Sequence, residues 1–177
     1  MAVTRVIERH SVNIFTGPPE KKADDVRLMN TFMAADGKKI VCGGTSSQIA
    51  ARYLNQEMTN NNDGTKDVPP TANIRGLDLV TEWVLTMSHT LKLLRQFDEG
   101  DIDADFFEAL DADNGGARLA RILLEECTEL NLFVGKANNQ ANYENNQLFD
   151  ISVRKNLVIQ LKDAMEHMGK QVNITYY

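Results

Sequence analysis

Lys39 to Leu54 reads KIVCGGTSSQIAARYL, and the order of its parts decides the fold. Lys39–Cys42 is a short, β-branched run that favours a strand. Gly43-Gly44 breaks it, and Thr45, Ser46 and Ser47 supply the hydroxyls that favour a helix start. Ile49, Ala50, Tyr53 and Leu54 then recur every three or four positions, the period of one helical face. The stretch is therefore strand, glycine turn, helix.

The same alternation extends both ways along the chain. Upstream, Val12–Thr16 (VNIFT) is a strand that Gly17-Pro18-Pro19 must end. Lys21–Ala34 follows as a helix with Ala23, Val26, Met29 and Phe32 or Met33 inward, stopped at Asp36-Gly37. Downstream, 56–76 is polar, with Asn60-Asn61-Asn62-Asp63-Gly64 and Pro69-Pro70, and predicts an excursion over the surface. Leu77–Val80 is a third strand, and Glu82–Phe97 a helix that buries Val84, Leu85, Leu91 and Leu94.

Asp98–Asp113 mixes acids with Phe106, Phe107 and Leu110, a short amphipathic helix or loop and a candidate surface for a homo-oligomer. Gly115-Gly116 separates it from a helix over Arg118–Cys127, with Leu119, Ile122 and Leu123 inward. Glu129–Val134 is a fourth strand ending at Gly135. Asp150 or Ser152 caps a last helix whose stripe is Val153, Leu157, Leu161, Met165 and Met168, with Gly169 as its stop, and Val172–Tyr177 is a fifth strand. Strands alternating with helices predict one α/β domain over 1–177, with a mostly parallel sheet of about five strands and helices on both faces. That is a Rossmann-like three-layer sandwich.

Composition narrows the function classes. Nineteen Lys and Arg against 25 Asp and Glu leave a net charge of -6, with the basic residues scattered, so a nucleic acid partner is not expected. The apolar runs fall far short of the roughly 20 residues that span a bilayer, and the start of the chain lacks the apolar core of a signal peptide. The expected location is the cytoplasm. Cys42 and Cys127 match no metal spacing and read as reduced thiols near the core. His10, His89 and His167 are too scattered for a metal motif. Nothing calls for a cofactor.

In open α/β sheets the ligand lies outside the carboxyl ends of the strands. Four turns gather there: Gly17-Pro18, Gly43-Gly44-Thr45-Ser46, Thr81-Glu82-Trp83, and Gly135-Lys136 with Asn138 and Asn139. The second is the strongest anion candidate, because glycines admit close backbone approach and hydroxyls stand at a helix start. It lacks the Gly-Lys-Ser/Thr of a P-loop and the G-x-G-x-x-G of dinucleotide folds. A plain turn with a helix cap is the rival reading. Asp78 and Glu82 could hold a sugar hydroxyl or cap a helix, and Trp83 could stack on a ring or fill the core.

Four blocks at these turns, TGPPEKKADD (Thr16 to Asp25), KIVCGGTSSQIAARYL, PPTANIRGLDLVTEWVLTMS (Pro69 to Ser88) and LNLFVGKANNQAN (Leu130 to Asn142), resemble the C-terminal region that follows the catalytic domain in some bacterial serine phosphatases of the stage II sporulation protein E type. Trp83 stands where that region has glycine, and Asn139 where it has proline. The resemblance implies the accessory region without the enzyme, since the phosphatase's metal-binding aspartates have no counterpart here.

The expectation is a non-catalytic domain that binds a small anionic metabolite of nucleotide type, as a sensor or a sequestering protein. The glycine turn holds phosphate, Asp78 or Glu82 a sugar hydroxyl, and Lys136 with Asn138 closes the far side. Two alternatives stay open: a regulatory interaction module of a serine phosphatase, and an enzyme acting on a phosphorylated sugar or nucleotide.

Overall fold

The computed structural model describes residues 8–137 and 147–177. Among them are seven strands: β1 (Ser11–Thr16), β2 (Lys38–Cys42), β3 (Thr59–Asn60), β4 (Ala72–Asn73), β5 (Leu79–Thr81), β6 (Glu129–Val134) and β7 (Gln171–Tyr176). The six helices are α1 (Asp25–Ala34), α2 (Gly44–Leu54), α3 (Val84–Glu99), α4 (Ala104–Asp111), α5 (Gly115–Glu125) and α6 (Gln147–His167). The strands form one sheet in the order β3-β4-β5-β2-β1-β6-β7. From β5 to β7 every pairing is parallel, while β3 and β4 join antiparallel at one edge. The chain is thus α/β with a mixed, mostly parallel sheet.

Side chains alternate across a strand, and the core divides accordingly. Val12, Ile14, Ile40, Cys42, Leu130, Leu132 and Val134 join one apolar cluster with Met87, Leu91 and Leu94 of α3, Leu119 and Leu123 of α5, and Leu157, Val158, Leu161 and Met165 of α6. Phe15, Val41 and Phe133 join a second with Leu28, Met29 and Phe32 of α1 and Ile49 and Ala50 of α2. Phe133 meets Phe32 edge-on at 5.4 Å. Each fully buried side chain of this size contributes roughly 1.5–3 kcal/mol, so neither helix set separates cheaply from the sheet.

The structure shifts several expected details. Val26 and Leu85 are 59% and 51% exposed, because Leu28, Met29 and Phe32, and Met87, Leu91 and Leu94, set the buried faces one step further round each helix. Gly115 and Gly116 lie inside α5, where a Cβ would stand 2.7 Å from Thr81 Oγ1 and 2.6 Å from His89 Cδ2, so their lack of a side chain lets α5 press against β5 and α3. Asn114 caps that helix, its Oδ1 accepting from Ala117 N–H at 2.9 Å. The last helix starts at Gln147, so Asp150 and Ser152 fall within it and not at its start.

The polar 56–76 stretch adds the two extra strands beyond the expected five. Each has two residues, too short for any run or alternation to mark it. Asp63 ties the stretch together: its carboxylate accepts Thr71 N–H at 2.8 Å and Thr71 Oγ1–H at 2.5 Å, with Arg118 Nη1 at 3.5 Å. Burial pushes this carboxyl up, but the Thr71 bonds, its own amide and the Arg118 charge outweigh it and hold it below the ordinary aspartate value of 3.8. A depressed folded pKa means stability that is present above the ordinary value and lost as pH falls through the folded one. Asp63→Asn should therefore cost about 1–3 kcal/mol at neutral pH. In urea titrations its deficit against the native chain should shrink as pH drops below 3.8.

Candidate functional site

Register brings the turns together. Thr16 pairs with Cys42, Cys42 with Thr81, Thr16 with Val134, and Val134 with Tyr176, so the five parallel strands end in one row. Beyond that row lies a cavity of about 120 Å3. Thr16, Gly17 and Pro18 line it from β1, Cys42 to Ser46 from β2, Glu82, Trp83 and Val84 from β5, and Arg154 from α6.

The second turn is shaped for close approach. Gly43 sits at φ +107°, a left-handed conformation that side chains rarely adopt. Its N–H donates to Thr81 O at 2.8 Å, which fixes the turn to the neighbouring strand end. Ser47 N–H donates to Gly43 O at 2.9 Å, so the N–H groups ahead of it belong to the first turn of α2 and point out of the helix end. The N-cap residue of α2, Gly43, has no side chain to cap it. By contrast, Asp103 caps α4 and Asn114 caps α5, while both oxygens of Glu82 take amides of α3: Val84 N–H at 2.6 Å, Leu85 N–H at 2.8 Å and Thr86 N–H at 3.3 Å.

Three polar side-chain atoms around the cavity are buried with no hydrogen-bond partner among the described residues: Thr16 Oγ1, Ser46 Oγ and Trp83 Nε1. Their residues are 1%, 1% and 4% exposed. An orphaned buried donor costs about 1–3 kcal/mol, and all three can donate. Arg154, 7% exposed, brings a guanidinium, with Nη1 donating to Ala137 O at 3.3 Å. Donors, a helix N-terminus and a cation suit an oxyanion. Cys42 stays a neutral thiol, since burial raises its pKa and the Glu82 charge raises it further.

No family model, curated protein or solved structure matches the chain. The reading of this rim accordingly rests on the geometry itself.

Of the sequence-predicted residues, Gly17, Pro18, Gly43, Gly44, Thr45, Ser46, Glu82 and Trp83 line the cavity. Thr81 stands beside it, its hydroxyl 2.7 Å from Thr86 Oγ1. Gly135 backs the first turn, where a Cβ would lie 2.1 Å from Pro18 O and 2.2 Å from Gly17 O. Lys136 is held outside the lining, its N–H on Tyr177 O at 2.9 Å and its Nζ 3.8 Å from Glu20. Asn138 and Asn139 fall outside the described residues.

Asp78 is not part of the rim. It precedes β5, and its Oδ2 accepts Lys39 N–H at 2.7 Å near the amino end of the sheet. It serves as a strand-pairing clamp. Sequence reasoning missed Thr16 and Arg154. Arg154 continues the buried row of α6 back from Leu157, Val158 and Leu161, and a charged residue at the head of an apolar stripe was its one available signal.

Two glycine substitutions separate space from chemistry. Gly135→Ala drives a Cβ into the Gly17-Pro18 backbone and should cost about 1–3 kcal/mol or more. Nothing lies within 4 Å of a Cβ at Gly44, so Gly44→Ala should be neutral or stabilising by up to about 1 kcal/mol. Urea midpoints of the two variants check both signs.

Proposed function

We propose that the chain binds a small phosphate-bearing molecule, of the nucleotide or nucleotide-derived class, and acts as a sensor or sequestering protein. The phosphoryl group sits in the cavity between the β1 and β2 turns. One observation carries this reading: three buried donors without partners among the described residues, on three different strand ends or turns, belong to residues that line one cavity with the first turn of α2. Oxyanion oxygens satisfy all three at once.

Cavity size sets how much of the ligand enters. Sites that enclose a drug-sized ligand measure about 300–1,000 Å3, whereas this one holds about 120 Å3. It takes a head group and leaves the rest of the ligand outside. Glu82 faces the head group as an acceptor for a ligand hydroxyl.

Binding in place of turnover is supported by the lining itself. It contains no histidine or lysine, Cys42 is held as the thiol, and Glu82 is engaged with the amides of α3. An activated nucleophile has no ready source among these described residues.

The wider reading follows the same lines. The two apolar clusters, with α1 and α2 in one and α3, α5 and α6 in the other, support a Rossmann-like three-layer arrangement. The blocks that resemble the accessory region of stage II sporulation protein E-type phosphatases supply the lining from Thr16 to Pro18, from Cys42 to Ser46 and from Glu82 to Val84. We take the chain to be a cytoplasmic relative of that region.

Calorimetric titration with inorganic phosphate and a panel of nucleotides at mildly acidic to neutral pH tests the proposal. Gly44→Asp places a carboxylate at the helix end without a clash, and should weaken binding at least about tenfold with no loss of melting temperature. Absence of heat with every phosphate compound, or equal affinity in Gly44→Asp, contradicts it.

A further inference from the structure

The cavity combines donors with one acceptor-only group. Thr16, Ser46, Trp83 and Arg154 of its lining carry donors, whereas the carboxylate of Glu82 carries only acceptors. A carboxylate offers about four acceptor positions. Three are taken by the amides of Val84, Leu85 and Thr86. The remaining capacity lies on Oε1, which among the described residues receives only Val84 N–H.

A bare oxyanion oxygen set against that carboxylate would place two acceptors in contact, with like charges facing each other. A ligand hydroxyl removes the conflict by donating. Two kinds of hydroxyl could do so, one on a sugar and one on phosphorus. Cavity size favours the second: at about 120 Å3, against the about 300–1,000 Å3 of sites that enclose a whole ligand, the hydroxyl that enters with the head group is the one on phosphorus.

Resting on the phosphate-binding reading of this cavity, we infer that the oxyanion is taken in a protonated form, with its P–O–H donating to Glu82, and that Glu82 is the residue that excludes fully ionised oxyanions. The donors fix the anionic oxygens, and the one acceptor-only group fixes the protonated one. The ligand class is a hydrogen phosphate, free or as a protonated monoester.

Three tetrahedral probes of similar size separate the contributions. Inorganic phosphate and arsenate keep at least one proton near neutral pH, and sulfate keeps none. The native chain should bind phosphate and arsenate within about threefold of each other and sulfate at least about tenfold more weakly, a difference of the size one lost charged hydrogen bond produces. Glu82→Gln, whose amide can donate, should accept sulfate and bring the phosphate-to-sulfate ratio below about threefold.

Circular dichroism and the melting temperature of Glu82→Gln establish that it is folded. Sulfate bound as tightly as phosphate by the native chain overturns the inference while leaving the phosphate site standing. So does an unchanged ratio in folded Glu82→Gln. Failure of phosphate and arsenate alike overturns both. Should Glu82→Gln fail to fold, the native ratios decide alone. AMP in a mildly acidic titration separates the sources: affinity matching phosphate assigns an esterified ligand, and loss of affinity assigns free phosphate, each in keeping with the inference.

Discussion

The parallel register of β5, β2, β1, β6 and β7 is the constraint on which the rest depends. It ends the strands in one row, Thr81, Cys42, Thr16, Val134 and Tyr176, so residues more than a hundred positions apart along the chain share a rim. Alternation fixes the row's chemistry, since a one-residue slip would exchange the two faces of a strand and put Phe15 and Val41 where Thr16 and Cys42 now stand. The buried aromatic contacts of Phe15, Phe32 and Phe133 resist that slip. Close backbone approach then draws the first and fourth turns together, with Gly135 N–H donating to Thr16 O at 2.9 Å and Ala137 N–H to Pro18 O at 3.1 Å.

Against that stable frame, the polar groups of the rim stand out. A folded chain loses about 1–3 kcal/mol for each buried donor left without a partner, and stability alone offers no reason to gather three around one cavity. His89 Nε2 is also buried without a partner among the described residues, but His89 is not among the residues that line the cavity. Its surroundings suit the neutral ring, burial and then the Lys92 charge lowering its pKa. The cavity trio differs in being shared between turns that only the fold brings together, which is the arrangement expected of a pre-organised site.

Much of this was legible in the sequence. The five parallel strands are short apolar or β-branched runs bounded by glycine, proline or polar turns, and they lie within one or two residues of their expected limits. The glycine turn of KIVCGGT was legible for the same reason, because strand, Gly-Gly and hydroxyl residues leave few other readings. End effects hid the rest. Leu77–Val80 was expected as the third strand, but β5 runs Leu79–Thr81, and that displacement carries Asp78 from the expected rim to the opposite end. The strands β3 and β4 carry no periodicity at two residues each. Thr16 was read as a strand residue and Arg154 as a helix residue, since a side chain's direction at the rim follows from packing and not from its neighbours in sequence.

The chain contains one tryptophan, so its indole N–H gives one resonance, reporting directly on a donor with no partner among the described residues. Following that resonance while inorganic phosphate is added tests the central claim. The account predicts a saturable downfield shift of the Trp83 Nε1 proton as the hydrogen bond forms, together with movement of the Gly44 and Ser46 amides. An indole resonance that stays in place through saturating phosphate, with those amides unmoved, would contradict it.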